Sequence, residues 1–370
     1  IRVGVNKVVE RVQGLQEKVT DIDSPQHAML LLKGSHSVCR VTHLLRTTPA
    51  PIIKEQIDKF DHNLKDAIDR ILCYTQSPGE WDRFTLKLKD TGHGVGTANT
   101  QKTAAYLSSF ASAMSFIMRS EIKSNVILRS DAELERHRKI EIDFCRAYGI
   151  TEEERAKWHS KGWDEYPSQH DLTVFVQDHN RAVVESRLRT NDEKVRWNAA
   201  LAEGASDWIT AFPSGPLTTF SPRQYRLAVA IRYGHDIFPE PIRCGDCEAP
   251  ISRKGSHCIN CMRCGLTTRR HNKIRDRLGY WAKEAGFNVV LEKKGMLENN
   301  RVPADILIMS YRDGVDWGFD VTVKSPLSLG IRKEAAVRVL AAADRGVALK
   351  YDSYHGEHEN RSFKFQPLGL

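Results

Sequence analysis

The sequence contains no apolar run long enough to span a bilayer, so no membrane-spanning segment and no membrane partner are predicted. It also contains no internal repeat and no low-complexity tract, which argues against a repeat architecture or a compositionally biased chain. No signal peptide is visible, and the chain starts at Ile1 rather than at a methionine. We therefore expect a piece of a longer protein that is nuclear or otherwise intracellular.

The cysteines are few and unevenly placed. Five of the eight lie between Cys244 and Cys264, whereas Cys39, Cys73 and Cys145 are scattered. A disulfide framework would distribute its bridges along the chain, while a cluster of this kind is typical of a metal site. The distribution therefore favours bound metal over disulfides.

Positive charge is concentrated in the same region. The whole chain of 370 residues has a net charge of +8, and the stretch 243–294 alone holds 12 Lys and Arg against 5 Asp and Glu. A basic surface beside a metal site favours an anionic partner such as nucleic acid. A basic face that contacts only solvent is the simpler explanation of the same charges.

Hydrophobic periodicity divides the chain into a helical part and a mixed part. We predict an α+β protein with a helical region over 1–120, a helical linker region over 121–240, a metal-binding segment over 241–268, and an α/β domain with a small mixed sheet over 269–370. Helices are predicted over 8–19, 27–45, 52–73, 104–117, 172–201, 222–233, 271–285 and 333–351, and strands over 288–292, 304–309, 318–323 and 362–368.

Residue spacing predicts two metal ligands of the Cys/His cluster and leaves the other two undecided. Cys244 and Cys247 are separated by two residues, a spacing that lets one turn direct two thiolates at the same zinc ion. The other two ligands remain open on spacing alone: the alternatives are Cys258 with Cys261, Cys261 with Cys264, and His257 with Cys261. Each alternative is a closed structural site that would help a short segment to fold.

Two aspartates lie at the ends of predicted neighbouring strands. Asp305 follows R-V-P-A, and Asp320 lies within G-F-D-V-T-V. Acids placed in this way can share Mg²⁺, which activates water and stabilises charge on a phosphate. Such a site also needs a cation, for which Lys324 and Lys350 are the candidates, although a strand-end or turn role is the commoner explanation for either acid alone.

A basic helix start follows the Cys/His cluster. Cations in the first turns of a helix oppose its macrodipole, so contacts with nucleic-acid phosphates explain them better than stability does. The candidate nucleic-acid-binding residues are Arg269, Arg270, His271, Lys273 and Arg275. Tyr280 and Trp281 on the same helix are predicted to be core aromatics.

Together these motifs resemble the C-terminal part of non-LTR-retrotransposon reverse transcriptase proteins, which carry a zinc knuckle and a restriction-like PD-(D/E)XK endonuclease domain. The matching segments are the cluster Cys244, Cys247, His257 and Cys261, then R-H-N-K-I-R-D at 270–276, R-V-P-A-D at 301–305, D-V-T-V-K-S-P-L at 320–327 and K-Y at 350–351. Weaker likeness to the thumb and post-polymerase region extends upstream over D-S-P-Q-H-A-M-L-L-L at 23–32, H-L-L-R-T-T-P at 43–49 and G-H-G-V-G at 92–96. The segment D-W-I-T-A-F-P-S at 207–214 resembles the linker before the knuckle.

The resemblance implies a ligand set and catalytic roles. It selects His257 and Cys261 as the last two zinc ligands, and it assigns Asp305 and Asp320 to a catalytic metal. The family's usual lysine two positions after the second acid is Thr322 here, which makes Lys350 the favoured catalytic cation and Lys324 the second. No Tyr/Phe-x-Asp-Asp polymerase motif occurs in the chain, so no polymerase activity is expected.

The predicted function is Mg²⁺-dependent nicking of DNA by a retroelement-derived endonuclease, as in target-primed reverse transcription, with structural zinc and with DNA and element RNA as partners. The alternative is a catalytically inactive zinc-containing remnant that binds nucleic acid. A third possibility is a structural scaffold whose zinc site serves protein contacts, in which case reversing the charge of Arg270 and Arg275 would not alter DNA affinity.

Overall fold

Helices form most of the N-terminal part of the chain. A computed structural model describes residues 2–119, 131–160, 162–294, 304–353 and 363–370. The first compact unit comprises 1–188 and 206–228. Its helices are α1 (Arg2–Thr20), α2 (Pro25–Ser35), α3 (Thr42–Thr47), α4 (Lys54–Leu72), α5 (Pro78–Phe84), α6 (Ala98–Arg119), α7 (Asp131–Tyr148), α8 (Glu152–Trp158), α9 (Gln169–Ser186) and most of α11 (Pro222–Tyr233).

The core of this unit follows the apolar spacing of α4. Ile57, Phe60, Leu64 and Ile68 recur every three or four residues and are buried, and α1 packs against the same helix. Asp61 is buried on α4 and accepts hydrogen bonds from the backbone N–H groups of Ala98 at 2.7 Å and Asn99 at 2.9 Å. A side chain of one helix thereby caps the N-terminus of α6.

The second unit comprises 189–205 and 229–370 and holds the mixed part of the chain. Its elements are α10 (Asn191–Leu201), β1 (Ile242–Arg243), β2 (Pro250–Ile251), α12 (Ser256–Asn260), α13 (Leu266–Glu284), β3 (Asn288–Leu291), β4 (Ile306–Arg312), β5 (Val315–Thr322), α14 (Arg332–Ala335), α15 (Ala341–Ser353) and β6 (Phe363–Gly369). The predicted α+β class is confirmed, as is the order helix, three strands, helix, strand.

A four-stranded mixed sheet in the order β3-β4-β5-β6 forms the centre of this unit. β3, β4 and β5 pair antiparallel, and β6 pairs parallel to β5. Helix α13 packs on one face, where Ile274, Leu278 and Ala282 meet the apolar cluster that includes Ile306 and Val321. Helix α15 packs against β5 and β6. Because side chains alternate along a strand, Asp320 points away from the face that carries Val321.

Three predicted helices are each divided in the structure. The run 27–45 breaks into α2 and α3, and the run 172–201 breaks into α9 and α10, where Thr190 caps the second helix. The run 333–351 breaks into α14 and α15 around Leu340, whose φ is 62°. The expectation that Tyr280 and Trp281 are core residues is also wrong, since both rings are exposed.

Some predicted features fall outside the described residues. These are Arg301, Val302 and Pro303 of the R-V-P-A-D motif, Ser362 at the start of the closing strand, and the boundary at 120–121. Within the part of the chain that the structure describes, no helix is long and apolar enough to cross a membrane.

Candidate functional site

Four side chains of the Cys/His cluster converge in the structure. The ligand atoms of Cys244, Cys247, His257 and Cys261 all lie within 4.8 Å of one another. The β1–β2 hairpin supplies the two N-terminal cysteines, while α12 carries His257 and is followed directly by Cys261. This set is the one that the family resemblance selects.

The distances between these donor atoms fit zinc. The Sγ atom of Cys261 lies 3.8 Å from Sγ of Cys244 and 3.7 Å from Sγ of Cys247, and Cys247 Sγ lies 3.2 Å from His257 Nε2. A tetrahedron with Zn–S bonds of about 2.3 Å has S···S edges of about 3.8 Å, and a Zn–N bond of about 2.0 Å gives S···N edges of about 3.5 Å. The three thiols and the imidazole could therefore bind a zinc ion.

Backbone N–H groups lower the pKa of two thiols in the cluster. Hydrogen bonds from the N–H groups of Asp246 and Cys247 lower the pKa of Cys244. The N–H groups of Cys264 and Arg263 act in the same way on Cys261 and, against the opposing effect of burial, bring its pKa to about 7. Because zinc binds the thiolate form, turns that present N–H groups to sulfur favour metal binding.

The other two cysteines of the cluster lie beside the site. Cys264 donates its thiol to the backbone carbonyl of Cys261 at 3.3 Å. Cys258 is half-buried, and burial raises its pKa, which disfavours the thiolate. The geometry therefore leaves both residues outside the group of four.

Two arginines hold the Cys/His segment in place. The buried side chain of Arg196 donates to Asp192 on its own helix at 3.1 Å, to the carbonyl of Ile231, and to the hydroxyl of Ser256 at 3.3 Å. From the other side, Arg270 on α13 donates to the carbonyl of Ile259 at 3.3 Å. The start of α13 is thus connected directly to the helix that carries His257.

The two predicted acids meet at one end of the sheet. Ile306 pairs with Phe319, so the preceding Asp305 lies alongside Asp320. Asp305 accepts a hydrogen bond from the backbone N–H of Val321 at 2.7 Å. Burial and a hydrogen bond with the Asp305 carboxyl raise the pKa of Asp320 to about 6, while Lys350 acts to lower it. The two carboxyl groups therefore lie within hydrogen-bonding reach of each other.

One basic side chain contacts each acid. His271 on α13 lies with Nε2 3.2 Å from Oδ1 of Asp305. Lys350 on α15 donates to Oδ1 of Asp320 at 3.1 Å and lies 2.8 Å from Oδ2. Lys350 therefore forms an ion pair with both oxygens of the buried Asp320 carboxyl.

A close approach of α15 to the sheet places Lys350 over Asp320. A Cβ at Gly346 would lie 2.9 Å from Cγ2 of Thr322 and 3.1 Å from Cγ of Lys324. Residues four apart lie on the same face of a helix, so the glycine that permits this contact also directs Lys350 toward β5. Thr322, the position at which the resembled family carries its lysine, instead lies against the helix that supplies Lys350.

Some of the remaining predicted residues are exposed, and others form ion pairs or hydrogen bonds within the protein. Arg269, Lys273 and Lys324 are exposed. Arg275 forms ion pairs with both Asp276 and Glu292. The five basic residues predicted to bind nucleic acid thus differ in availability: Arg269 and Lys273 face solvent, whereas Arg270, His271 and Arg275 also make intramolecular contacts.

Sequence reasoning assigned His271 to phosphate contacts and did not place it beside Asp305. Helical spacing could have indicated that position, because His271 precedes Ile274 and Leu278 by three and seven residues and so shares their face. By the same spacing, Tyr280 lies outside the helix face that carries Ile274 and Leu278.

Comparison with known proteins yields no assignment. No protein-family model matches the chain, and no curated protein matches its sequence. The Cys/His cluster and the Asp305–Asp320 pair of the second unit are therefore the features that bear on function.

Proposed function

We propose that the protein is a metal-dependent DNA endonuclease of retroelement origin, with a zinc knuckle and a PD-(D/E)XK-type domain. The observation that carries the proposal is the convergence of Asp305, Asp320 and Lys350 at one end of the mixed sheet. Two acids from adjacent strands with a cation above them form a compact polar group at the sheet. The strand order and the motif resemblance support the same assignment.

The acid pair has the donor chemistry that Mg²⁺ requires. Mg²⁺ prefers oxygen ligands and is commonly held by one or two carboxylates together with water and substrate phosphate. The carboxyl of Asp320 is buried, lies beside the carboxyl of Asp305 and is paired with Lys350. When bound, the metal would supply Lewis acidity toward the scissile phosphate and lower the pKa of a water.

The neighbouring basic side chains orient the acids and complement the substrate's charge. Lys350 keeps a positive charge beside Asp320 and favours its ionised form, the form that binds metal. At this position the ammonium group of Lys350 could also stabilise a phosphate oxygen of the substrate. His271 fixes the orientation of Asp305 through the contact at Oδ1, while the Val321 N–H holds Oδ2.

Positive charge on α13 suits a DNA backbone beside this site. Arg269 and Lys273 are exposed on the helix that also carries His271, so phosphates bound there would lie close to the acids. The zinc segment has no part in the chemistry and braces the start of α13 through Arg270. DNA is the proposed substrate, element RNA a further partner, and the nucleus or another intracellular compartment the proposed location.

Nicking of supercoiled plasmid by the full chain tests the proposal. With Mg²⁺ present, we expect conversion to the open circular form, with no conversion when Mg²⁺ is omitted. Asp320→Ala should reduce the nicking rate by roughly a hundredfold or more, the range associated with loss of a charge-stabilising group. The matched control is Asp313→Ala, an exposed acid in the β4–β5 turn, which should nick at the wild-type rate.

The outcomes separate the candidate functions. Retained DNA binding without cleavage by the wild-type chain would contradict the nuclease and support the inactive binding remnant. An equal loss of nicking in both aspartate variants would show that the acid pair has no special role. Neither binding nor cleavage would leave only the scaffold explanation.

A further inference from the structure

The C-terminal half of α13 exposes two large aromatic side chains. Tyr280 is 49% and Trp281 53% exposed. Arg277, one turn earlier, has its guanidinium 5.5 Å from the Tyr280 ring centroid and 6.0 Å from the Trp281 ring centroid. We call these three residues the α13 aromatic patch. Adjacent exposed aromatics are uncommon and often mark a binding surface.

The patch lies partly off the helix face that packs on the sheet. Ile274, Leu278 and Ala282 form the packed stripe. At 100° per residue, Tyr280 falls on nearly the same line as Lys273, on the side opposite that stripe, whereas Trp281 lies at the edge of the stripe. Packing on the sheet therefore does not explain Tyr280, and it leaves Trp281 53% exposed.

The charge around the patch indicates which partner it fits. Arg269 and Lys273 extend the exposed basic line toward the acid pair, and Lys283 is exposed beyond the rings. An apolar protein partner would gain little from this arrangement of cations. A polyanion that also offers flat rings would use both the charges and the aromatic faces.

We propose that Arg277, Tyr280 and Trp281 bind unpaired bases of a nucleic-acid strand by stacking. This inference rests on the proposed function, because it takes α13 as the helix that faces DNA. Aromatic side chains bind bases through their π faces without selecting a sequence, and an arginine beside the rings adds cation–π attraction. The substrate class it identifies is DNA with a single-stranded segment next to a duplex.

The separation of the patch from the acid pair sets the geometry of such a substrate. Trp281 follows His271 by ten positions on the helix, which corresponds to about 15 Å along the axis. A stacked strand rises about 3.4 Å per nucleotide, so the unpaired bases would begin roughly four nucleotides from the cleaved phosphate. Exposed Lys273 lies between the two places and can contact the connecting phosphates.

The test compares two labelled DNA probes with the full chain at fixed salt. One probe is a blunt duplex, and the other is the same duplex with a short single-stranded extension. The wild-type chain should bind the extended probe more tightly. Trp281→Ala should weaken binding of the extended probe by roughly 5- to 150-fold, the effect of losing one stacked base, and leave the blunt duplex nearly unchanged.

Two further variants make the result specific. Trp281→Phe keeps a flat ring and should restore most of the preference for the extended probe. Lys273→Ala removes a phosphate contact and should weaken both probes to a similar degree while reducing the salt dependence. Trp281→Ala also removes the buried half of the side chain, so its thermal midpoint is measured as well, and Trp281→Phe, which keeps most of that contact, separates lost stacking from lost stability.

Failure of this inference is distinguishable from failure of the proposed function. Equal affinity for both probes in wild type and in Trp281→Ala, together with plasmid nicking, would overturn the stacking patch and leave the nuclease standing. Preference for the extended probe that vanishes in Trp281→Ala would support the patch even if no nicking occurred. Absence of all DNA binding would refute both.

Discussion

Removal of one central zinc ligand should release the metal and unfold its segment. Cys261 is the ligand to change, because its Sγ lies 3.8 Å and 3.7 Å from the sulfur atoms of Cys244 and Cys247. Structural zinc sites contribute about 10–16 kcal/mol near neutral pH, whereas a whole domain has about 5–15 kcal/mol of net stability. Without the metal, the small β1–β2 and α12 region lacks the apolar core needed to keep its fold.

The assay measures zinc content and local protection together. The wild-type chain should contain one zinc ion, and Cys261→Ser should contain almost none. Limited proteolysis should then cut the variant within 242–264 under conditions where the wild type resists. Cys258→Ser and Cys264→Ser are matched controls that keep all four ligand atoms, and both should retain zinc and resistance.

Two results would refute this reasoning. Retention of a full equivalent of zinc by Cys261→Ser would show that the metal is held by a different ligand set. Loss of zinc in Cys264→Ser would place that thiol in the coordination sphere, against the distances among the other four side chains.

Three other predictions concern single contacts. Lys350→Met should lower stability at pH 7 by about 1 kcal/mol, because the pKa of Asp320, about 6 in the wild type, rises until the buried carboxyl is protonated. Urea unfolding without added Mg²⁺ should show a larger loss at pH 8 than at pH 5. Gly346→Val places carbon against Thr322, so it should cost about 1–3 kcal/mol and reduce nicking beyond what the lost stability explains. Asp61→Ala removes the cap of α6 and should lower the free energy of unfolding by about 1–2 kcal/mol. Asp61→Asn keeps one acceptor oxygen and should recover part of the lost stability. Equal stability of both variants and the wild type would contradict this explanation.

Local spacing predicted those parts of the candidate site that depend on neighbouring residues. The pair Cys244 and Cys247 follows from one turn, so two residues suffice to predict it. Cys261 is common to all three alternatives, and the choice of His257 rather than Cys258 or Cys264 as its partner depends on where α12 lies relative to the β1–β2 hairpin, which spacing does not specify. The resemblance supplied that choice, and the distances agree with it.

The cation beside the second acid depends on tertiary packing. Lys350 is 30 residues from Asp320 in the chain, and their contact exists because Gly346 lets α15 approach β5. Lys324 is closer in sequence but exposed. Helix breaks were missed for a similar reason: Leu340 adopts a positive φ without the glycine or asparagine that would indicate it.

The second unit is formed by two separate stretches of the chain, which limits how the chain can be divided into fragments. Helix α10 belongs to that unit, although residues 206–228 of the first unit follow it in sequence. Val195 on α10 is buried against Leu327 and Ala335, and Asn198 donates to the carbonyl of Ala335 at 3.0 Å. A fragment expressed from residue 241 onward would lose this helix, expose an apolar surface and tend to aggregate. A soluble fragment of the second unit would therefore require residues 189–205 and 229–240 as well, with a linker in place of residues 206–228.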